Sequence, residues 1–252
     1  MRSIFGTSNG APKALVGFER SGIVRSALKR SGFQATSCDI APSEDGGNHY
    51  RGDIMRPLLH LPSEYDESPI WGYHDSLMAY EVIAEESQEW HNHPWDLIIL
   101  HPPCRCLAVS GNAHYGKGKP RHDERLKAIE YTMKIWELAC DESFAVCMEN
   151  PVGVLPIKPT QYIQPYEYGE DASKKTGLWL KNLPDLKPTH RRPGRMVNGK
   201  ERWANQCDSG QNKLGPSPDR PRQRSQTYRS IAQAMAEQWT NYFIEEGRYH
   251  KD

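Results

Sequence analysis

A short apolar run that ends in two prolines constrains this chain more than any other stretch. It reads Trp95-Asp-Leu-Ile-Ile-Leu-His-Pro-Pro-Cys104. Four consecutive apolar residues followed by a breaker are typical of a strand buried on both faces of a parallel sheet. Proline cannot continue that strand, because it lacks an N–H and its φ is fixed. The pattern therefore predicts an open α/β sheet with Cys104 just past its carboxyl edge, where such sheets bind ligands.

Two interpretations of Cys104 follow from this position. A thiol at the carboxyl edge is a candidate nucleophile wherever its surroundings favour the thiolate. A free cysteine is otherwise a small buried hydrophobe. The six cysteines contain no C-x-x-C pair, and His91 and His93 lack a third ligand at a suitable spacing. We therefore expect no metal site and a chain with reduced thiols.

The composition indicates an ordinary globular protein. A chain of 252 residues, 37% hydrophobic and 25% charged, is long enough for one α/β domain that carries an insertion. The longest apolar runs are about five residues, and the first ten residues lack the apolar core of a signal peptide. We therefore predict a single domain over residues 1–252, cytoplasmic and monomeric, with no membrane partner.

The first forty residues predict a βαβ unit. A strand from Lys13 to Phe18 leads to a helix that Gly22 opens, and a second strand ends before Asp39. An acidic residue about twenty positions after the first turn is a feature of dinucleotide-type sites. The turn holds one glycine, so alone the motif indicates no more than a βαβ unit with a solvated aspartate. Asp53 offers a second carboxylate, so the two could hydrogen-bond ribose hydroxyls and an adenine amino group.

A second carboxyl-edge residue is predicted further along the chain. Asp123 can cap a helix that runs to about residue 141, with an apolar stripe at Leu126, Ile129, Met133, Trp136 and Cys140. The next strand, 144–148, runs into Glu149-Asn-Pro, where the proline is expected to stop it. Because one helix separates the two strands, Cys104 and Glu149 are expected to be neighbours. A thiolate can attack C6 of a pyrimidine if a carboxyl group at N3 helps the ring accept electron density.

The zero net charge of the chain conceals a basic segment. Residues 187–229 hold eleven Lys and Arg against three Asp and Glu, while the whole chain has 32 of each class. Such a segment predicts either a polyanion partner or a solvated loop. Trp203 and several amides lie among the basic residues, a mixture that suits phosphate contact and base stacking. The residues predicted to contact nucleic acid are Arg191, Arg192, Arg195, Trp203, Arg220, Arg222 and Arg224.

These motifs, taken in order, resemble the cytosine-C5 DNA methyltransferase family, most closely the short forms carried by bacteriophages. The resemblance covers most of residues 14–240 except an insertion at 55–94. It is carried by Phe18, Gly22, Asp39, Gly52-Asp53, Pro102-Pro103-Cys104 and Glu149-Asn150-Pro151. It implies a Rossmann-like methyltransferase fold, with a mixed, mostly parallel sheet flanked by helices. It also implies DNA as the partner and, for a phage-encoded form, the host cytoplasm as the location.

The resemblance implies a role for each motif. Cys104 is the nucleophile, Glu149 engages N3, and Lys174 replaces the first arginine of a Gln-x-Arg-x-Arg motif. S-adenosylmethionine is the implied cofactor, and its site is formed by Phe18, Gly22, Asp39, Ile40, Asp53 and Pro102. Residues 155–228 form a small basic DNA-recognition region, and 229–245 a helix that returns to the catalytic core.

The sequence departs from the family at several motif positions. Arg20 stands where a glycine is usual, and Ala172 and Thr176 replace the glutamine and the second arginine of the later motif. Two alternatives to the C5 enzyme therefore stay open. One is a DNA amino-methyltransferase, although His101 and Cys104 supply neither the acidic side chain nor the aromatic ring that its Pro-Pro motif uses. The other is a catalytically inactive methyltransferase-like protein that binds DNA.

Overall fold

The computed structural model describes residues 10–59, 95–215, 217, 220–225 and 227–250. Most of the insertion expected at 55–94 lies outside the described residues, as do His91 and His93.

The chain begins with the βαβ unit that its first forty residues predict. Strand β1 is Lys13–Gly17, helix α1 is Ile23–Ser31 and strand β2 is Gln34–Asp39. Gly22 and Gly32 bracket α1 with φ of 70° and 109°, a left-handed conformation that glycine adopts without a Cβ clash. The helix therefore begins and ends where glycine allows the backbone to change direction.

The remaining helices and strands of the described part of the chain follow β2 in sequence. They are β3 (His49–Arg51), α2 (Met55–Leu59), β4 (Trp95–Leu100), α3 (Asn112–Tyr115), α4 (His122–Glu142), β5 (Ser143–Pro151), β6 (Gln161–Ile163), β7 (Thr176–Lys181), β8 (Arg195–Val197), β9 (Lys200–Arg202), α5 (Arg220–Ser225) and α6 (Arg229–Glu245).

Seven of the strands form one mostly parallel sheet in the order β3-β2-β1-β4-β5-β7-β6. Neighbours from β3 to β5 are parallel, whereas β7 is antiparallel to both β5 and β6. Helices cover both faces, so two apolar clusters sandwich the sheet. This is the α/β, Rossmann-like fold class that the sequence predicts, and the prediction is confirmed.

The two faces divide the residues of each central strand. In β1, Ala14 and Val16 pack on the side of α1 and α6, whereas Leu15 packs on the side of α2 and α4. The four apolar residues of β4, 97–100, are likewise shared between the faces and are fully buried. Burial on both faces explains why β4 reads as a continuous apolar run.

The buried face of α4 differs from the predicted one. Leu126 is 51% exposed, and the other four predicted positions are only half-buried. Each buried position lies one residue earlier, so the helix is rotated by about 100° relative to the prediction. The buried residues are Arg125, Ala128, Tyr131, Thr132, Ile135, Leu138 and Ala139. A prediction based on large apolar residues missed this face, because apart from Ile135 and Leu138 it is built from alanine, threonine, tyrosine and an arginine. The helix begins at His122, so Asp123 lies in its first turn and does not cap it.

Strand β5 also runs further than predicted. Pro151 does not stop it before Glu149, because both residues pair with the antiparallel strand β7, Glu149 with Leu178 and Pro151 with Thr176. A proline is tolerated at the end of a strand, where its missing N–H interrupts no further ladder. Glu149 is therefore held inside the sheet and not on the loop that follows it.

The region predicted for DNA recognition, 155–228, is divided by the sheet. Strands β6 and β7 belong to the seven-stranded sheet, whereas β8 and β9 form a separate two-stranded hairpin. Asn198 and Gly199 turn this hairpin with φ of 48° and 73°, as a two-residue hairpin turn with both φ positive requires. The part of 155–228 that lies outside the main sheet after β7 is thus mostly loop and hairpin.

Candidate active site

The loop after β4 presents Cys104 at the carboxyl edge of the sheet. The backbone N–H of His101 donates to the Gly17 carbonyl at 3.1 Å, which extends the β1–β4 contact one residue past the strand. Pro102 is buried, Pro103 is exposed and Cys104 is partly exposed. The thiol therefore lies near the surface at the edge of the sheet where ligands of α/β proteins bind.

Arg125 holds the loop that follows Cys104. Its guanidinium is buried and donates to the carbonyls of Cys106 at 2.7 Å and Ala108 at 3.3 Å, and to the side-chain oxygen of Asn112 at 2.8 Å. A buried arginine is tolerated when its donors are paired in this way. Sequence reasoning missed this residue, because nothing in the helical pattern marks Arg125 as inward-facing.

Glu149 lies on the strand next to the one that leads to Cys104. Strands β4 and β5 are parallel, with Leu100 opposite Met148, so the chain leaves β4 beside Glu149. The side-chain amide of Asn150 donates to the Pro102 carbonyl at 3.0 Å, which ties the Pro-Pro-Cys loop to β5. The structure thus brings the Cys104 loop and Glu149 together at one edge of the sheet.

Three side chains from distant parts of the chain surround the Glu149 carboxylate, which is 9% exposed. Nδ1 of His101 lies 2.8 Å from Oε2, the hydroxyl of Thr227 donates to Oε2 at 3.4 Å, and Nζ of Lys174 lies 3.9 Å from Oε1. Lys174, which the resemblance implies as a catalytic residue, lies beside the Glu149 carboxylate, a contact that the sequence did not predict. Sequence reasoning missed His101 and Thr227, although His101 directly precedes the Pro-Pro-Cys motif.

These contacts keep Glu149 ionised. Burial alone would raise its pKa, but the Lys174 charge and the hydrogen bonds from His101 and Thr227 outweigh burial and lower the pKa to about 2. Glu149 is accordingly a carboxylate at neutral pH, which can accept hydrogen bonds. It can donate one only after it has received a proton.

The turn between β1 and α1 contains the first two predicted cofactor residues. Phe18 has a left-handed φ of 60°, and its ring packs edge-on against Tyr131. The carboxylate of Glu19 accepts the backbone N–H groups of Val24 at 2.6 Å and Arg25 at 3.1 Å. These are donors of the first turn of α1, which Gly22 precedes. Glu19 therefore occupies part of the helix N-terminus from within the chain.

The other predicted cofactor residues cluster at the ends of β2, β3 and β4. Asp39 accepts the N–H of Ala41 at 2.8 Å, and its carbonyl accepts the N–H of Gly52, which places the Asp53 turn beside it. The Asp53 carboxylate accepts the N–H of Met55 at 2.9 Å. Ile40 is 57% exposed. A small cavity lies beside the β1–α1 turn and is lined by Phe18, Glu19, Arg20, Ser21, Glu44, His101, Ser225 and Thr227.

Arg25 braces the loop that follows β2. Its side chain is almost completely buried, and it bonds to the Asp45 carboxylate, the Ser37 hydroxyl at 2.9 Å and the Asn48 carbonyl at 3.0 Å. The hydrogen bonds from Arg25 lower the pKa of Asp45. Arg20 forms a more exposed pair with Glu44 at 2.7 Å. The two pairs join the β1–α1 turn and the first turn of α1 to the loop beyond Asp39.

The three arginines at the start of the basic segment are paired with acidic residues in the free protein. Arg191 contacts Glu201, Arg192 contacts Asp171 at 3.2 Å, and Arg195 contacts Asp208 at 2.7 Å. All three guanidinium groups are about half exposed. Exposed ion pairs of this kind contribute about 0–1 kcal/mol, so the arginines can exchange their partners for phosphate at little cost.

Trp203 requires a correction, because it is not an exposed platform on which a base could stack. Its side chain is 7% exposed, and its ring stacks on Tyr166 with centroids 3.9 Å apart. The indole N–H donates to the Arg192 carbonyl at 3.1 Å. Trp203 therefore has a packing role within the basic segment. Asn205 has a similar role, since its side chain bonds to both backbone groups of Ser173.

The remaining predicted nucleic-acid residues lie on α5. Arg224 is exposed, and Arg220 is partly buried with its Nε lacking a hydrogen-bond partner among the described residues. The side chain of Arg222 is outside the described part of the structure. Thr227 follows α5 directly, so this basic helix adjoins the Glu149 site.

The described residues offer neither a metal-ligand cluster nor a membrane-spanning helix. They contain no group of three or more His, Cys, Asp or Glu arranged to hold a metal ion. Within the same ranges, no helix has the length and apolar character needed to cross a membrane.

The comparisons with known proteins found similarity to solved structures only. No family model and no curated protein matches this sequence. Among solved structures, a triple mutant of DNMT2 from Spodoptera frugiperda is similar, with a TM-score of 0.34 and 16% sequence identity. The alignment covers 76% of this chain and 57% of the DNMT2 chain, so this chain spans little more than half of that protein. The activity of the chain has to be inferred from its own side chains.

Proposed function

We propose that this chain is an S-adenosylmethionine-dependent DNA methyltransferase that methylates C5 of cytosine. The observation that carries the proposal is the buried Glu149 carboxylate, which His101, Lys174 and Thr227 hold on the strand next to the Cys104 loop. A partly exposed thiol beside a preorganised carboxylate is the pair that attack on C6 of a pyrimidine requires. The motif order that resembles the C5 family supports the same assignment.

The chemistry assigns one task to each residue. The Cys104 thiolate forms a bond to C6 of a flipped cytosine, and Glu149 engages N3 and the exocyclic amine, where electron density accumulates. Lys174 keeps positive charge beside the carboxylate. Bound S-adenosylmethionine would supply the methyl group to C5. Loss of the C5 proton then allows the Cys104–C6 bond to break, which restores both the Cys104 thiolate and the aromatic ring.

The proposed cofactor residues suit an adenosine moiety. Ile40 offers exposed apolar surface directly beside the Asp39 carboxylate, and the Asp53 turn is hydrogen-bonded to the same strand end. An apolar face next to carboxylate acceptors fits a purine ring with its ribose hydroxyls and amino group. Phe18 and Pro102 would close the site on the side of the Cys104 loop.

Replacing Asp39 by alanine is expected to weaken S-adenosylmethionine binding by about 1–3 kcal/mol, because ribose hydroxyls lose their acceptor. Asp53→Ala is expected to act similarly, with an added loss of stability because Asp53 also bonds the start of α2. Calorimetric titration measures both effects. Asp185→Ala, at an exposed position after β7, serves as the control. Unchanged affinity in both variants would contradict the proposed pocket.

DNA is the proposed partner, and the basic residues after β7 are the proposed contact surface. Arg191, Arg192 and Arg195 carry half-exposed guanidinium groups, and Arg224 is exposed next to the Glu149 site. Side chains of this type neutralise phosphates and position a duplex, but they do not read its sequence. Arg220 and Arg222 belong to the same proposal, whereas Trp203 is removed from it as a stacking residue.

The salt dependence of DNA binding is expected to report these contacts. About five phosphate contacts give a log–log slope of roughly −4 to −5, and replacing Arg191 and Arg192 by alanine is expected to flatten it by up to about two units. The measurement is a salt titration of affinity for a duplex. The matched control replaces Lys29 and Arg30, two exposed cations at the end of α1. If the Arg191/Arg192 variant keeps the wild-type slope, DNA is bound elsewhere on the protein.

Covalent trapping tests the proposed reaction. With DNA that carries 5-fluorocytosine, S-adenosylmethionine and the wild-type protein, a C5 enzyme forms an adduct that persists, because fluorine cannot leave C5 as a proton does. An amino-methyltransferase would methylate cytosine or adenine without an adduct. An inactive binding protein would give neither product. Absence of the adduct under conditions of DNA binding would overturn the C5 assignment.

A further inference from the structure

His101 combines a contact and a position that the proposed reaction has not yet used. Its Nδ1 lies 2.8 Å from Glu149 Oε2, and each of the two side chains is 9% exposed. Its Nε2 is buried and has no hydrogen-bond partner among the described residues. The ring also lines the cavity next to Phe18 and Ser21. One nitrogen thus contacts the catalytic carboxylate, and the ring borders the cavity.

The protonation of Glu149 makes this position consequential. The reaction needs a proton at N3 of cytosine while the thiolate adds to C6, because negative charge accumulates on the ring. Glu149 does not hold that proton in the resting protein, since its pKa is lowered to about 2. Lys174 is 3.9 Å away and ion-paired, whereas His101 is in hydrogen-bonding contact. Imidazole is also the side chain that gains and loses a proton near neutral pH.

We propose, on the basis of the function proposed above, that His101 is a positioning residue that stores the proton which Glu149 delivers to N3. The imidazolium transfers its Nδ1 proton to Glu149 Oε2, and Glu149 passes a proton to N3 as the S–C6 bond forms. Imidazole is then neutral, the carboxylate is restored and the cytosine ring is protonated at N3. When the C5 proton leaves and the S–C6 bond breaks, the N3 proton returns through Glu149 to His101. No proton is consumed by this relay.

The charged groups around the imidazole allow His101 both to give a proton to Glu149 and to take it back. Glu149 on β5 faces Nδ1, and Lys174, before β7, lies on the far oxygen of that carboxylate. Around the cavity are Glu19, whose carboxylate is bonded to the start of α1, and the ion pair of Arg20 and Glu44. The charge in direct contact with His101 is therefore that of Glu149, to which its proton is proposed to pass.

A His101→Gln variant tests the relay. Glutamine can still donate a hydrogen bond to Glu149, but it cannot store an exchangeable proton. We expect the rate of methyl transfer near pH 7 to fall by about 10²–10³-fold, in the range of a lost general acid. The dependence of kcat/KM on pH is also expected to differ between the wild type and the variant, because only the imidazole can carry the stored proton. His250→Gln, at an exposed position near the end of α6, should behave as wild type.

The outcomes separate this proposal from the function on which it rests. If wild-type protein forms the 5-fluorocytosine adduct but His101→Gln keeps the wild-type rate and pH profile, the relay is wrong and the C5 assignment stands. If wild-type protein forms no adduct, both fail. Should His101→Gln not fold, as judged by thermal melting, a second variant, His101→Asn, repeats the rate comparison, and a wild-type rate in that variant would contradict proton storage by His101.

Discussion

A Cys104→Ser variant is expected to lose methyl transfer by roughly 10⁴-fold or more, the scale on which enzymes respond to removal of a nucleophile. A serine hydroxyl at this position would have no base to activate it, because Glu149 is already held by His101, Lys174 and Thr227. S-adenosylmethionine affinity should stay close to wild type, since the thiol contacts the base and not the methyl donor. Bisulfite sequencing of DNA from cells that express each variant measures the product.

Cys106 provides the matched control two residues away. Burial, and then the charge of Glu124, raise the pKa of the Cys106 thiol, so it is a poor source of thiolate. Arg125 binds the backbone carbonyl of Cys106, and the sulfur of Cys106 takes no part in that hydrogen bond. Cys106→Ser should therefore retain activity within a few-fold of wild type. Full activity in Cys104→Ser would remove the covalent mechanism, whatever Cys106 does.

Replacement of Arg25 by methionine is expected to reduce the free energy of unfolding by about 2–3 kcal/mol. That range reflects the loss of several hydrogen bonds from a buried guanidinium, because Asp45 is 36% exposed and remains solvated without its partner. Arg25 is 2% exposed, and it bonds to Asp45, the Ser37 hydroxyl and the Asn48 carbonyl. Methionine fills similar volume, but it removes the hydrogen bonds that the guanidinium donates to these acceptors. Urea unfolding at neutral pH measures the change.

Arg30→Met is the control for this experiment. Arg30 lies on the same helix and is exposed, with one side-chain bond to Gln233 at 3.3 Å, so the substitution should change stability by less than about 0.5 kcal/mol. The Arg25 variant should also bind S-adenosylmethionine more weakly, because Arg25 holds the loop beyond Asp39. An Arg25→Met protein as stable as Arg30→Met would show that the buried pair contributes nothing net.

Much of the active-site arrangement could be predicted from local patterns. The apolar run 97–100 and the breakers after it specify a buried strand and its end, because proline acts on the backbone of its own position. Two strands joined by one helix are commonly neighbours in a parallel sheet, so the Cys104 loop and Glu149 could be placed together. The order of the motifs marked Lys174 as a site residue, but only the structure shows its ion pair with Glu149 at 3.9 Å.

Only the tertiary structure decided which other side chains complete the site. His101 and Thr227 reach Glu149 from 48 and 78 positions away in the sequence, and no periodicity links residues so far apart. Arg125 and Trp203 are buried because the fold supplies carbonyls for one and the Tyr166 ring for the other. The identity of a polar or aromatic residue does not show whether its side chain faces solvent or a partner. Local sequence therefore determined the strands β1, β2 and β4 and brought the Cys104 loop beside Glu149. The full extent of β5, and the burial and pairing of polar side chains, depended on contacts that exist only after the chain has folded.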